Sequence, residues 1–138
     1  MPSRLPPLVL IVDDDAATRE AFSILLSLEG YRVQTAIDGL DALDRLRSDE
    51  RPGLVLLDLM MPRMDGAQLQ QRLADDERLA DVPVVFCTAS GRAGRAALPL
   101  PPAGYLEKPV DPEQLVALLR LVIQSSANSD QLSVISHQ

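Results

Sequence analysis

Residues 8–15 read Leu-Val-Leu-Ile-Val-Asp-Asp-Asp, an unbroken apolar run that is followed at once by acids. A run without alternating polar residues is typical of a parallel strand that is buried on both faces. The segment from about Ala16 to Glu29 then has helical periodicity. Gly30 follows it, as is typical of a C-terminal cap residue in the left-handed backbone conformation. This stretch predicts the first strand and helix of an α/β sheet, with acids at the carboxyl end of the strand.

The same alternation continues along the chain and predicts five strands in a parallel sheet. After the first strand at 8–12, strands are expected at 32–36, 54–57, 82–88 and about 104–107. In the first helix, the apolar stripe is assigned to Ala21, Leu25 and Leu28, with Phe22 and Leu26 beside it. Asp38 is expected to cap the second helix, and Asp111-Pro112 to open the last one.

The segment between the fourth and fifth strands departs from this regularity. It contains Gly91 and Gly94, each of which costs a helix roughly 1 kcal/mol relative to alanine, and prolines at 99, 101 and 102 prevent continuation. At most residues 92–98 are expected to be helical. The polar tail at 125–138 lacks helical periodicity and is expected to be disordered. The predicted organisation is an N-terminal extension at 1–7, one domain at 8–124 and this tail.

Composition narrows the possible partners. The chain has 138 residues, a net charge of −7 and a pI of about 4.6, which disfavours direct contact with nucleic acid or an anionic membrane surface. A single cysteine, Cys87, excludes an intramolecular disulfide framework. No apolar run approaches the roughly 20 residues of a membrane span, and the N-terminus does not resemble a signal peptide. We therefore expect a cytoplasmic protein with no nucleic-acid or membrane partner.

Polar residues follow four of the predicted strands at their carboxyl ends, where open parallel sheets bind ligands. These residues are Asp13, Asp14, Asp58, Thr88 and Lys108. Three carboxylates at adjoining strand ends repel one another, and a hard divalent cation with oxygen ligands would remove that repulsion. The three acids at these strand ends therefore predict a Mg²⁺ site at this edge of the sheet.

Four motifs of this chain resemble those of the response-regulator receiver domain, the CheY-like family of two-component signalling. They are Val12-Asp-Asp14, Leu57-Asp-Leu-Met-Met-Pro-Arg-Met-Asp-Gly66, Thr88-Ala89 and Tyr105-Leu-Glu-Lys-Pro109. The resemblance covers about residues 8–123. It implies a flavodoxin-like α/β fold with a five-stranded parallel sheet of order 2-1-3-4-5 and helices on both faces. The fourth helix is expected to be short or irregular.

The resemblance also implies roles for particular residues. Asp58 would accept a phosphoryl group, Lys108 and Thr88 would assist, and Thr88 with Tyr105 would form a switch. The implied Mg²⁺ ligands are Asp14, Asp58, the carbonyl of Met60 and, through water, Asp13. Lys108–Pro109 is a candidate cis peptide. The implied phosphodonor is a sensor histidine kinase or a histidine phosphotransfer protein, the downstream protein partner being unidentified. The protein would be a phosphoacceptor that assists its own phosphorylation and dephosphorylation, and not an enzyme.

Two alternatives to a single-domain response regulator stay open. Since no output domain follows the last predicted helix, the chain could stand alone or be a receiver module excised from a larger hybrid kinase or regulator. A Mg²⁺-dependent phosphatase with an aspartate nucleophile is an alternative of another class. The haloacid-dehalogenase-type pattern D-x-D-x-T/V fits less well, because Ala17 occupies the place of the threonine or valine. A flavodoxin-like cofactor binder is disfavoured because the acids would repel a phosphate.

Overall fold

The computed structural model describes residues 5–48 and 50–136, except for the side chains of residues 48 and 127–136. In this part, five parallel strands form one sheet in the order β2-β1-β3-β4-β5, which confirms the predicted topology. The strands are β1 Leu8–Val12, β2 Arg32–Ala36, β3 Leu54–Leu57, β4 Val84–Thr88 and β5 Gly104–Glu107. The helices are α1 Ala16–Leu28, α2 Gly39–Ser48, α3 Gly66–Ala74, α4 Gly91–Ala96 and α5 Pro112–Ser136.

The sheet separates two apolar layers. Successive residues of the central strands point to opposite faces, so Val9 and Ile11 join one layer while Leu10 and Val12 join the other. The first layer includes residues of α1 and α5, and the second includes residues of α2 and α3. The central strands β1, β3 and β4 are buried along their whole length, as their apolar sequences predicted. Asp13 directly follows β1 and Asp58 directly follows β3, so these acids lie at the carboxyl ends of buried strands.

Helix α1 begins and ends as the sequence predicted, but the face that it buries is different. The Asp15 carboxylate accepts a hydrogen bond from the Thr18 amide, and Gly30 has a φ of 95° after the helix. Leu26 is fully buried, whereas Leu28 is 80% exposed, so the assignment of Leu28 to the core stripe was wrong. Two residues along a helix are about 200° apart, so burial of Leu26 turns Leu28 toward solvent.

The last strands and helices show two further differences. Strand β4 begins at Val84, two residues later than predicted, because the Val82 amide donates to the carbonyl of Leu79 in a turn. Helix α4 has only 6 residues, which confirms the predicted short fourth helix. Helix α5 continues to Ser136, which corrects the expected disorder for residues 125–136; residues 137 and 138 lie outside the described part. That segment contains neither glycine nor proline, and extending an existing helix avoids the cost of nucleation.

Helix α5 is long but not continuously apolar. Within the described residues, no helix combines the length and hydropathy that a membrane crossing requires.

Candidate functional site

Backbone hydrogen bonds hold the first residue after each of three strands in the plane of the sheet. The Asp13 amide donates to the carbonyl of Ala36 at 3.2 Å, and the Asp58 amide donates to that of Val12 at 2.9 Å. The Lys108 amide donates to the Thr88 carbonyl at 2.8 Å. Because these strands are parallel members of one sheet, the side chains that follow them emerge at the same edge. These main-chain hydrogen bonds fix where the site residues leave the sheet.

Asp13, Asp14 and Asp58 form one acidic cluster. Each contributes a carboxylate oxygen, and these oxygens all lie within 4.8 Å of one another. Asp13 and Asp58 are buried, while Asp14 is exposed. The Lys108 ammonium donates to Asp13 at 2.7 Å and to Asp58 at 3.3 Å. The structure thus brings together four of the residues that the sequence predicted.

By formal charge, one lysine does not balance the three carboxylates of the cluster. Burial lowers the pKa of Lys108, whereas its hydrogen bond to Asp13 and the charges of Asp13 and Asp58 raise it. The raising effects together are larger, so the pKa of Lys108 lies above its usual value. The oxygens of two ligands on one Mg²⁺ ion lie up to about 4 Å apart, twice the bond length of about 2.1 Å. The observed limit of 4.8 Å is close to this span, and a water-mediated ligand accommodates the difference. Charge and geometry both fit a divalent cation.

The carboxylates differ in how tightly their oxygens are held. Asp13 accepts from the Asp15 amide at 2.9 Å and from Lys108 at 2.7 Å, so both of its oxygens have short hydrogen bonds. Asp58 accepts from the Met60 amide and from Lys108, both at 3.3 Å. Asp58 is therefore the buried acid whose oxygens are less firmly engaged.

Thr88 is the last residue of β4, and Tyr105 lies on β5, the next strand of the sheet. The Thr88 hydroxyl is buried and has two long contacts, 3.4 Å to the Ser90 hydroxyl and 3.4 Å to the Ser90 amide. The Tyr105 ring packs near Phe86, with 6.1 Å between ring centroids. Among the described residues, its buried hydroxyl has no hydrogen-bond partner. The Thr88 hydroxyl thus lies at the carboxyl end of β4, the strand next to the one that Asp58 follows, and Tyr105 packs against the second apolar layer.

The loop after β3 passes beside the cluster. Met60 is 67% exposed, so its side chain does not hold the loop in place. The Lys108–Pro109 peptide is cis, as predicted. Arg19 was not among the predicted site residues; its guanidinium donates to the Asp13 carbonyl at 2.7 Å and so supports the acidic turn. Its position one turn into α1, close to the acids, was the available signal.

Comparison with known proteins identifies the class to which this fold and site belong. The family model described as "Response regulator receiver domain" matches residues 9–120. The chain therefore belongs to the response regulator receiver family, and the resemblance inferred from its motifs is confirmed. Receiver domains bind Mg²⁺ at an acidic pocket, which agrees with the cluster found here.

Individual relatives support this placement. The DNA-binding dual master transcriptional regulator RpaA of Synechocystis sp. is 40% identical over 120 residues, or 86% of this chain and 49% of that protein. The chemotaxis response regulator CheY4 of Vibrio cholerae superposes with a TM-score of 0.76 at 29% identity, over 85% of this chain and 98% of that chain.

The receiver domain of the sensor histidine kinase PA1611 from Pseudomonas aeruginosa superposes with a TM-score of 0.80 at 26% identity, over 86% and 98% of the two chains. That structure has a magnesium ion coordinated in the active site cleft. The chain spans about half the length of the curated relatives it matches. Because one of them is a DNA-binding regulator, the relatives do not support the expectation that nucleic acid is excluded as a partner.

Proposed function

We propose that this receiver domain takes a phosphoryl group on Asp58 from the phosphohistidine of a sensor kinase or a histidine phosphotransfer protein. The observation that carries the proposal is the acidic cluster with Lys108, in which Asp58 is the buried carboxylate with the longer hydrogen bonds. An Asp58 oxygen forms a bond to phosphorus while the bond between phosphorus and the histidine nitrogen breaks. The departing imidazole takes up a proton and leaves as neutral histidine.

The remaining residues of the site stabilise the charge that this transfer brings in. Lys108 already contacts Asp58 at 3.3 Å, so its ammonium is close to where the phosphoryl oxygens would lie. Asp13, Asp14, Asp58 and the Met60 carbonyl would hold Mg²⁺, which when bound offsets repulsion between the carboxylate and the phosphoryl oxygens. In this proposal, the protein is a stoichiometric phosphoacceptor that assists its own phosphorylation and dephosphorylation. A kinase donor that uses ATP also implies a cytoplasmic location.

The proposed output is a change at Thr88 and Tyr105. A phosphoryl group on Asp58 supplies acceptor oxygens, and the Thr88 hydroxyl, held only by 3.4 Å contacts, is free to donate to one of them. A shift of Thr88 changes the space in front of the Tyr105 ring and thereby the surface offered to a downstream protein.

Phosphorylation by a small donor tests the proposal without a cognate kinase. With acetyl phosphate and Mg²⁺, the wild type should gain one phosphoryl group by intact mass spectrometry, and EDTA should prevent the gain. Asp58→Asn should gain none. Asp65→Asn is the matched control, because Asp65 caps α3 in the same loop and asparagine also serves as a cap. Equal labelling of Asp58→Asn, or labelling that EDTA leaves unchanged, would contradict the proposal.

A second candidate is that the chain acts as the receiver part of a longer regulator that binds DNA. The favouring observation is that RpaA, a DNA-binding regulator by name, is matched over only 49% of its length. Immunoblotting of native cells with an antibody against this chain distinguishes the two. A product near 15.0 kDa supports a single-domain regulator, and a product about twice as large supports the longer protein.

A further inference from the structure

Arg63 has an unusual backbone conformation for its residue type. Its φ is 65°, and it is the one non-glycine residue with positive φ in the described part of the chain. Such a conformation costs a residue with a side chain about 1 kcal/mol or more, and it persists where surrounding contacts enforce it. Glycine would adopt it without cost, so the contacts of this particular side chain need an explanation.

The Arg63 side chain reaches the turn between β2 and α2. Its Nε donates to an Asp38 carboxylate oxygen at 2.6 Å, and Asp38 is only 3% exposed. The same carboxylate accepts from the Asp41 amide at 2.9 Å and so caps α2. The hydrogen bond from Arg63 holds the pKa of Asp38 below its usual value, against the opposing effect of burial. Asp38 is therefore a fixed anchor, attached to a helix, to which Arg63 ties its own loop.

A second contact joins the same two segments. A Cβ atom placed on Gly39 would lie 2.7 Å from both the Cβ and the carbonyl oxygen of Met64. The turn before α2 and the loop after β3 therefore meet without space for another carbon atom. Met64 is buried in the second apolar layer, so this end of the loop is held by core packing as well as by the Arg63–Asp38 ion pair.

Between Asp58 and this anchor lies the stretch that carries the Met60 carbonyl. Met60 itself has an exposed side chain, and its amide makes a long bond of 3.3 Å to Asp58. The loop is closed by the Gly66 amide, which donates to the Leu59 carbonyl at 2.8 Å. With so little holding Met60 directly, its place depends on the segments that flank it.

We propose that Asp38 and Arg63 are positioning residues that fix the loop after β3 and thereby place the Met60 carbonyl beside Asp58 for a divalent cation. The inference rests on the proposed function, since it presumes that Met60 contributes a ligand. Outer residues that orient metal ligands commonly change affinity by about 10- to 100-fold when they are replaced.

Because Arg63 is positively charged, its replacement should change the Mg²⁺ affinity in opposite directions under the two explanations. Simple electrostatics predicts that Arg63→Gln binds Mg²⁺ more tightly, because a positive charge is removed near a cation site. Positioning predicts the opposite, a dissociation constant about tenfold larger, at the low end of such effects. Arg45→Gln is the matched control, because Arg45 pairs with Asp41 at 3.6 Å on neighbouring α2 and carries the same charge. Isothermal titration calorimetry with MgCl₂ on the full chain measures all three proteins.

Weaker binding by Arg63→Gln than by the wild type and Arg45→Gln supports the inference, and equal or tighter binding overturns it. Arg63→Gly gives a second test, since glycine tolerates the positive φ and the variant avoids backbone strain; it too should bind Mg²⁺ more weakly. Melting in EDTA reports any loss of stability separately from affinity. If the wild type itself binds no Mg²⁺, the proposed metal site fails and the inference fails with it.

Discussion

Replacing Asp14 with asparagine removes one negative charge from the acidic cluster while keeping the size of the side chain. Asp14 is the exposed member, so the change leaves the buried contacts of Asp13 and Asp58 with Lys108 in place. Without a divalent cation, the wild-type protein holds these acids close together in spite of their repulsion. We therefore expect Asp14→Asn to be more stable than the wild type in EDTA.

The spacing of the cluster sets the size of the effect. Two unit charges 4.8 Å apart repel by about 3.5 kcal/mol at an effective dielectric constant near 20 and by about 0.9 kcal/mol in water. Asp14 is exposed and Lys108 offsets part of the charge, so the lower value applies. A gain of about 1 kcal/mol corresponds to a rise in Tm of roughly 4 °C for a domain of this size. At ten times its Kd, Mg²⁺ should stabilise the wild type by about 1.4 kcal/mol, and the variant should lose most of this.

Thermal melts followed by circular dichroism, in EDTA and in a MgCl₂ series, measure both effects. Glu77→Gln is a suitable control, because it removes one exposed acid in the segment between α3 and β4, away from the strand ends that carry the site. This control should melt like the wild type under both conditions. Equal Tm values for Asp14→Asn and the wild type in EDTA would show that the acids do not crowd one another. A full Mg²⁺ response in the variant would show that Asp14 is no ligand.

Three further predictions concern packing and pH. A Cβ on Gly66 would collide with the Asp58 carbonyl, so Gly66→Ala should lose about 3 kcal/mol in urea denaturation, and an unchanged midpoint would contradict this packing. Leu119 is fully buried, so Leu119→Ala should lose about 2–5 kcal/mol in the same assay; a loss under 1 kcal/mol would refute its place in the core. The hydrogen bond from Arg63 holds the pKa of Asp38 below its usual value, so the charged carboxylate stabilises the fold above that usual value, and this stabilisation is lost as the pH falls through the lowered pKa. The stability difference between the wild type and Asp38→Asn should therefore shrink from about pH 6 to pH 3, and a constant difference would count against the pair.

The positions of the site residues could be predicted from sequence because the sheet is parallel. Once strands with uniformly apolar sequences are recognised, the residues that follow them must lie at one edge. Asp13, Asp58 and Lys108 each follow a strand directly, and backbone bonds hold each of them at that edge. The acidic cluster could be predicted without knowing the course of any loop, because its main members directly follow strands.

Contacts between loops could not be predicted in the same way. Nothing in the sequence indicates that Arg63 adopts a positive φ, since glycine is the usual residue for that conformation. Its pairing with Asp38, 25 residues away, depends on that backbone conformation and on the close approach of Gly39 to Met64. Such contacts follow from the three-dimensional course of the loop, which no local pattern encodes.

The buried faces and the ends of helices could be predicted only in part from the sequence. The apolar residues of α1 allow more than one stripe, and the choice between Leu26 and Leu28 depends on how the helix docks on the sheet. The length of α5 was underestimated because a polar segment without helical periodicity was taken as a sign of disorder. Periodicity reports burial of one face, and a helix that continues beyond the core need not have it.

A crystal structure of the protein with beryllofluoride and Mn²⁺ would locate both the phosphoryl-accepting carboxylate and the cation, because beryllofluoride mimics a phosphoryl group on a carboxylate and Mn²⁺ scatters anomalously. We expect beryllium bonded to an Asp58 oxygen and an anomalous peak within ligand distance of Asp14 and Asp58. Beryllofluoride on another carboxylate, or a manganese peak away from these acids, would contradict it.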